Sequence, residues 1–386
     1  MQVIKTDLSQ LESTLKKMGV NESKVTSIFN KQVPGCYKLT SVSNTDRSQL
    51  KEIFRSTGVD MITGQQEHPE TALLLGSMQS IKNAVEKLKN AGEKAKDLGE
   101  ELALLTDNNA PVKPVHLDLG SLRLTLGERT FIMGILNVTP DSFSDGGRFD
   151  QVEKALEHAH QMAADGADII DVGGESTRPG HTRISVEEEL SRVMPVIEKL
   201  KKDQSFKLPL SIDTYKPEVA KKAFGAGVEM LNDVWGLKED KELGKVAAHY
   251  QIPICLMHNR SSTDYKDLIP DIIAELKESI ELAHQAGIDD SRIIIDPGIG
   301  FGKTYEQNLE VMRSLKNICD LGYPLLLGTS RKSIIAKTLN LPADERVEGT
   351  AATQALGIAA GADIIRIHDV KEMKRVAMMT DVIVRR

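Results

Sequence analysis

From Phe131 to the end of the chain, short apolar runs alternate with longer stretches whose apolar residues recur at helical spacing. The runs are FIMGIL, ADIID, LPLSID, VEMLND, IPICLM, RIIID, YPLLLG and ADIIRI, eight in all. Strands apolar along their whole length and separated by helices belong to parallel sheets, buried on both faces. Eight such units favour a closed (β/α)8 TIM barrel over an open doubly wound sheet. An internal repeat supports this: DGADIID, GAGVEMLN and AGADIIR share a glycine suited to ending a helix, a short apolar strand and a polar residue. The polar residues at matched spacing are Asp171, Asn232 and Arg366, and two further strands end on Asp213 and Asp296. In a barrel these endings meet at one mouth, where reactive groups sit.

Residues 1–110 have another texture. Amphipathic segments (LSQLESTLKKMG, MQSIKNAVEKLKNAGEKAKDLGEEL) alternate with the strand candidates CYKLTSV and ALLLG, which predicts a small N-terminal α/β domain. The turn-rich TDNNAPVKP reads as a linker, and the alternation in HLDLGSLRLTLGERT as a β-hairpin opening a catalytic barrel domain at 114–386.

Composition narrows the class of protein. With 386 residues, 40% hydrophobic and 27% charged, the chain has material for a large core and two domains. A net charge of −7 argues against a nucleic-acid or membrane surface, so an anionic substrate needs a local basic site. Cys36, Cys255 and Cys319 are far apart and form no CxxC, which points away from disulfides and zinc and toward a cytoplasmic location. Neither a signal sequence at the start nor an apolar run of membrane-spanning length is evident.

Several tempting motifs fail on spacing. DPGIGFGKT has Pro297 where a Walker A loop needs its first glycine, and the dinucleotide pattern GxGxxG meets Lys303 or Tyr305 in its last position. Its glycines are read as backbone freedom near a ligand. His158 and His160, two apart on a predicted helix, point to different faces and are read as surface residues. The scattered methionines and Trp235 are read as core or loop packing.

The strand endings carry the chemistry. A single buried polar ending needs no more than a structural hydrogen bond, but five on one rim need five partners, because a buried carboxylate is costly unless paired or bound. Asp213, Asn232 and Asp296 offer acceptors, and a carboxylate takes two parallel N–H groups in the fork geometry it uses with arginine. A flat heterocycle with an amidine-like edge beside a carbonyl matches that set, with Lys332 meeting the carbonyl. Arg366 and His368 precede a helical stretch, a physically reasonable phosphate or diphosphate site. Pairing of Arg366 with Asp363 or Asp369 is the structural alternative.

These stretches resemble the dihydropteroate synthases: GILNVTPDSFSDGGRF, IIDVGGESTRPG, SIDTYKPEVA, LNDVWG, IIIDPGIGFGKT, GTSRKS and IRIHDV, from about residue 130 onward. The resemblance implies condensation of 6-hydroxymethyl-7,8-dihydropterin diphosphate with p-aminobenzoate, giving 7,8-dihydropteroate and diphosphate with Mg2+. It implies that Asp213, Asn232, Asp296 and Lys332 hold the pterin, with Met257 lining its pocket. Asn137 would contact the metal or diphosphate, and Arg366 with His368 would grip the diphosphate. Phe143, Thr177, Arg178, Pro179 and Ser330 would border the p-aminobenzoate pocket, which sulfonamides also fit. Loops after the first two strands, with Asp141, Asp145 and paired glycines, would close over the substrates, and the chain would act as a homodimer. The chain departs from the commonest pattern after the fifth strand, at MHNRSSTDYKDL, which leaves His258 and Arg260 without an implied role. A pterin-binding barrel of the methyltransferase type, or a non-catalytic pterin-binding subunit, would share the acceptors without needing the diphosphate groups.

Overall fold

The computed structural model describes residues 2–5, 15, 18, 35–40, 42–64, 70–106, 115–120, 122–139, 148–176 and 183–385. It divides into two compact units, Met1–Pro111 and Val112–Arg386.

The first unit carries a four-stranded antiparallel sheet in the order β1 (Gln2–Lys5), β2 (Gly35–Thr40), β4 (Ala72–Gly76), β3 (Asp60–Thr63). Among the described residues it is accompanied by the helices α1 (Asn44–Ser56), α2 (Met78–Leu88) and α3 (Glu93–Thr106). Ser43 and Ser77 start α1 and α2 by accepting the backbone N–H groups of Asp46 and Ser80, at 3.2 and 3.1 Å, which satisfies donors a helix start leaves open. Tyr37, Phe54, Leu74, Ile81 and Leu98 fill its core. The long amphipathic run at 78–102 divides into α2 and α3, with Gly92 in a left-handed turn between them.

The second unit is a parallel (β/α)8 barrel. Its strands are β7 (Phe131–Asn137), β8 (Ile169–Gly173), β9 (Leu210–Asp213), β10 (Met230–Asp233), β11 (Ile254–Met257), β12 (Ile293–Asp296), β13 (Leu326–Leu327) and β14 (Ile364–Ile367), each on one of the eight apolar runs. They pair in parallel in the order β12-β11-β10-β9-β8-β7-β14-β13. A bridge between Ile295 and Leu325, with Ile295 N–H donating to Pro324 O at 2.9 Å, closes the ring. The helices are α4 (Arg148–Ala164), α5 (Val186–Lys202), α6 (Pro217–Gly225), α7 (Glu242–Tyr250), α8 (Leu268–Gln285), α9 (Tyr305–Arg313), α10 (Leu315–Cys319), α11 (Ser333–Leu339), α12 (Val347–Ala360) and α13 (Val370–Val384).

The repeat glycines end helices as their spacing predicts. Gly166, Gly227 and Gly361 have φ of +100°, +96° and +116°. In each case the next N–H reaches back to a carbonyl five residues earlier: Ala167 to Met162, Val228 to Ala223 and Ala362 to Gly357. The hairpin of β5 (Val115–Leu119) and β6 (Leu122–Leu126) packs Leu117, Leu119, Leu124 and Leu126 against Phe131, Ile169, Met230, Ile294 and Ile364, residues at strand starts, and so plugs the N-terminal end. The opposite end is left for chemistry.

Candidate active site

The polar strand endings converge. Asp171 Oδ2, on β8, accepts Arg366 Nε from β14 at 2.6 Å and Asn232 Nδ2 from β10 at 3.0 Å. The three residues at matched places in the internal repeat therefore meet at one carboxylate oxygen. Arg366 also donates to Asp213 Oδ2, at the end of β9, at 2.7 Å. Neither structural alternative for Arg366 is used: Asp369 pairs with Arg331, and Asp363 accepts Leu325 N–H and faces Arg385.

Two bare glycines mark how closely the other groups approach. A Cβ built on Gly328 would lie 3.8 Å from Lys332 Nζ, 3.9 Å from Arg366 Cβ and 4.0 Å from Asp296 Oδ2. One built on Gly173 would lie 3.6 Å from Asp213 Cβ and 3.7 Å from Asn137 Oδ1. Asn137, Gly173, Asp213 and Asn232 are also successive register partners across β7 to β10. Met257 ends β11 in an apolar cluster with Tyr215, Val234, Trp235 and Phe301. Ser330 Oγ lies 2.9 Å from His368 Nδ1 and accepts His368 N–H at 3.1 Å, just before α13. Phe143, Thr177, Arg178, Pro179, Asp141 and Asp145 lie outside the described residues.

Burial and crowding set the charges. Asp213 is pushed up to about 7, first by burial and further by the like charges of Asp171, Glu189 and Asp233, against the pull of Arg366. Burial lowers Lys332 to about 8 although Asp296 and Asp213 favour its charge. Burial likewise raises Asp296, against Lys332 and the N–H of Gly298, which Asp296 Oδ1 accepts at 2.7 Å. Burial works against the charge of Arg366, but Asp171 and Asp213 outweigh it and hold the guanidinium protonated. One carboxylate oxygen on each of Asp171 and Asp213 has no hydrogen-bond partner among the described residues. A ligand rich in N–H donors would satisfy them.

A cleft of about 950 Å3 lined by His116, Asp118, Arg123, Glu229, Arg292 and Tyr323 is at the other end, beside the hairpin plug. None of the strand-end groups above lines it, so the chemistry argues for the C-terminal mouth.

Residues 133–368 match the family model described as pterin binding enzyme. A dihydropteroate synthase of Clostridium beijerinckii is 59% identical over 271 residues, which are 70% of this chain and 100% of the relative. The chain belongs to the dihydropteroate synthases. It is a transferase of the pterin-binding family. A crystal structure of the Clostridium difficile dihydropteroate synthase in the presence of pteroic acid shares 54% identity, with a TM-score of 0.67, over 68% of this chain and 100% of that one. The Xanthomonas albilineans dihydropteroate synthase with 4-aminobenzoic acid shares 42% identity at the same TM-score, over 70% and 98%.

The structure also brings in residues to which no motif assigns a role. Lys216, after β9, joins Glu175 and Glu189 at 2.5 and 2.6 Å and the carbonyl of Ile184 at 2.8 Å. Tyr215 donates to Glu175 at 2.9 Å. This buried cluster ties together the two ends of the ESTRPG loop, at residues 175 and 184. Its members are up to 41 positions apart, so no local pattern announces them. Arg331 stands at φ +57° between Ser330 and Lys332, its backbone N–H held by Thr350 and its carbonyl by Arg346. The GTSRKS motif named the flanking residues but not the strained one that turns them.

Proposed function

We propose that the chain condenses 6-hydroxymethyl-7,8-dihydropterin diphosphate with p-aminobenzoate, releasing 7,8-dihydropteroate and diphosphate. The observation that carries this reading is the cluster at the barrel mouth, where acceptors suited to a pterin edge lie within reach of a half-buried arginine. Asp213, Asn232 and Asp296 take the N–H groups of the pterin, Lys332 meets its carbonyl, and Met257 lines its face. Arg366 uses two of its five N–H donors on Asp171 and Asp213, which leaves three for an oxygen of the diphosphate beside His368 and the start of α13. Phe143, Thr177, Arg178, Pro179 and Ser330 border the p-aminobenzoate, as the resemblance implies.

Breaking the bond between the methylene carbon and the diphosphate oxygen leaves a cation conjugated with the pterin ring. The anion of Asp213, which Arg366 favours against burial, lies near it and stabilises the developing charge. The amine of p-aminobenzoate is neutral at pH 7 and attacks the methylene without a strong base. Alignment of the two substrates supplies about 7 kcal/mol or more of the barrier reduction.

Mg2+ takes hard oxygen ligands and is commonly bound through few protein groups, usually carboxylates, with substrate phosphates and waters completing its shell. Asn137 Oδ1, at the mouth beside Gly173, is a hard oxygen donor of that kind. Asn137 would hold the ion, which when bound neutralises charge on the leaving diphosphate.

We also propose a homodimer. Leu356 on α12 and Met378, Met379, Val382 and Ile383 on α13 are exposed on two helices that pack together. Such an apolar surface on a polar chain suits a second copy. No described helix is long and apolar enough to cross a membrane, and we place the enzyme in the cytoplasm, without a nucleic-acid partner.

The test is diphosphate release by the full chain with both substrates and Mg2+, and no release when either substrate is omitted. Protein that binds the pterin diphosphate yet forms no dihydropteroate would sink the reading.

A further inference from the structure

Beside the mouth lies a part-buried ammonium that the reaction does not use. Lys303 closes the loop from β12 to α9, and its three hydrogens have three acceptors: His258 Nδ1 at 2.8 Å, Gly298 O at 3.0 Å and Phe301 O at 3.1 Å. His258 is fully buried just past β11, and its backbone N–H donates to Asp296 O at 2.9 Å. Its Nε2 faces Glu275 Oε2 on α8 at 3.2 Å. Glu275 is held in turn by Arg260 at 2.6 Å and Lys238 at 3.4 Å. An ammonium can only donate, so the Lys303 contact at Nδ1 requires the lone pair there and puts the ring proton on Nε2, which lies beside Glu275 without an aligned hydrogen bond to it. Burial lowers His258 to about 4, with Lys303 and Lys238 acting in the same direction, so the ring is neutral at pH 7 and accepts.

The loop pegged by Lys303 carries three contacts to the pterin-facing groups. Gly298 N–H donates to Asp296, Ile299 O accepts Lys332 Nζ, and the Phe301 ring lies 4.6 Å from that same Nζ. We propose that Lys303, seated on His258, is a positioning residue for pterin binding, setting both the place and the charge of Asp296 and the place of Lys332. The inference rests on the reading of Asp296 and Lys332 as pterin-holding groups. A purely mechanical staple would not need a charge, since burying an ammonium is costly and a neutral side chain can fasten a loop. Here the ammonium also favours the ionised form of Asp296, after Lys332 and the Gly298 N–H.

Among the charged groups facing Lys303, Asp296 and Glu275 favour its protonation, whereas Lys332 and Arg260 oppose it. Burial, the largest influence, lowers Lys303 to about 7. Removing its charge lets Asp296 take up a proton at higher pH, so the acid limb of pterin affinity moves upward. A merely structural role would leave that limb in place.

The experiment measures KM for the pterin diphosphate and kcat from about pH 5 to about pH 9 in the full chain. Lys303→Met is expected to raise KM about tenfold, the effect of stranding buried acceptors, to leave kcat nearly unchanged, and to shift the acid limb upward. His258→Leu, which removes the acceptor, is expected to raise KM as well. His258→Gln, which retains an amide oxygen, should recover part of it. A Lys303→Met enzyme with wild-type KM and an unmoved acid limb overturns the proposal, as does a His258→Gln enzyme no better than His258→Leu. If Lys303→Met does not fold, the His258 pair decides. A wild-type chain that neither binds the pterin diphosphate nor turns it over would overturn the functional reading along with this one, whereas a working wild type with indifferent variants overturns this one alone.

Discussion

Asp213 sits where two demands oppose each other. Its folded form favours the proton, with a pKa raised from 3.8 to about 7, while the proposed chemistry requires the anion. A raised carboxylate stabilises the fold fully below its unfolded pKa, and that stability is lost as pH rises through the folded value. Asp213→Asn does not titrate, so its unfolding temperature relative to wild type should climb as pH increases from about 4 to about 7. Arg366 keeps Asp171 as a partner in the variant. The kcat should meanwhile fall by about a hundredfold or more, the scale of losing one preorganised electrostatic contact. Thermal unfolding across pH, beside turnover at pH 8, tests both halves. A variant less stable at pH 8 than at pH 5, relative to wild type, would contradict the assignment of charge.

At the scale of elements, the loop leaving β12 depends on one backbone conformation. Gly298 has φ +68°, and a Cβ there would lie 1.9 Å from the carbonyl oxygen of His258. Because the Gly298 N–H also holds Asp296, Gly298→Ala must move either β11's exit or the pterin-facing carboxylate. It should destabilise the chain by about 2 kcal/mol or more and weaken pterin binding with it. Calorimetric unfolding and pterin titration check the pair, and unchanged affinity would separate the loop from the site. This loop also marks how far the sequence could be read. The glycines of DPGIGFGKT signalled backbone freedom, and strand endings such as Asp213 and Asp296 announced the mouth, because β-strands and polar termini are local patterns. The ammonium of Lys303 gave no signal. Two of its acceptors, Gly298 O and Phe301 O, are local, but His258 just past β11, and Glu275 on α8 behind it, come from other parts of the chain, and only the closed ring brings them beneath the loop. The same holds for Arg366, whose nearest acidic neighbours in sequence, Asp363 and Asp369, are bound elsewhere while it reaches Asp171, 195 residues away. In the first unit, β1, β3 and α1 are not among the elements the sequence pattern predicts; β3, four residues of mixed burial, lacks a strong period.

At the scale of the whole molecule, each unit has its own core. Tyr37, Phe54 and Ile81 belong to the first, and the hairpin plug and strand starts to the second. The Clostridium beijerinckii relative is matched over its full length by 271 residues of this chain. A fragment starting near Pro114 should therefore fold and retain turnover within about threefold of the full chain, as expected for independent domains. Loss of turnover by a folded fragment would give residues 1–110 a part in catalysis. The exposed face of α12 and α13 sets the other whole-molecule expectation. Val382 and Met379 are 77% and 63% exposed, and they lie on one stripe with Met378 and Ile383. Exposed apolar side chains add little to the stability of a monomer, so replacing them separates association from folding. Met379→Asp with Val382→Asp should convert the dimer to a monomer in sedimentation at micromolar concentration, with an unfolding temperature close to that of wild type. Charges facing each other across a two-fold axis repel their own copies, which doubles the effect of each substitution at the interface. A wild-type chain that sediments as a monomer, or a double variant that remains dimeric, would remove this face as the interface while leaving the barrel chemistry untouched.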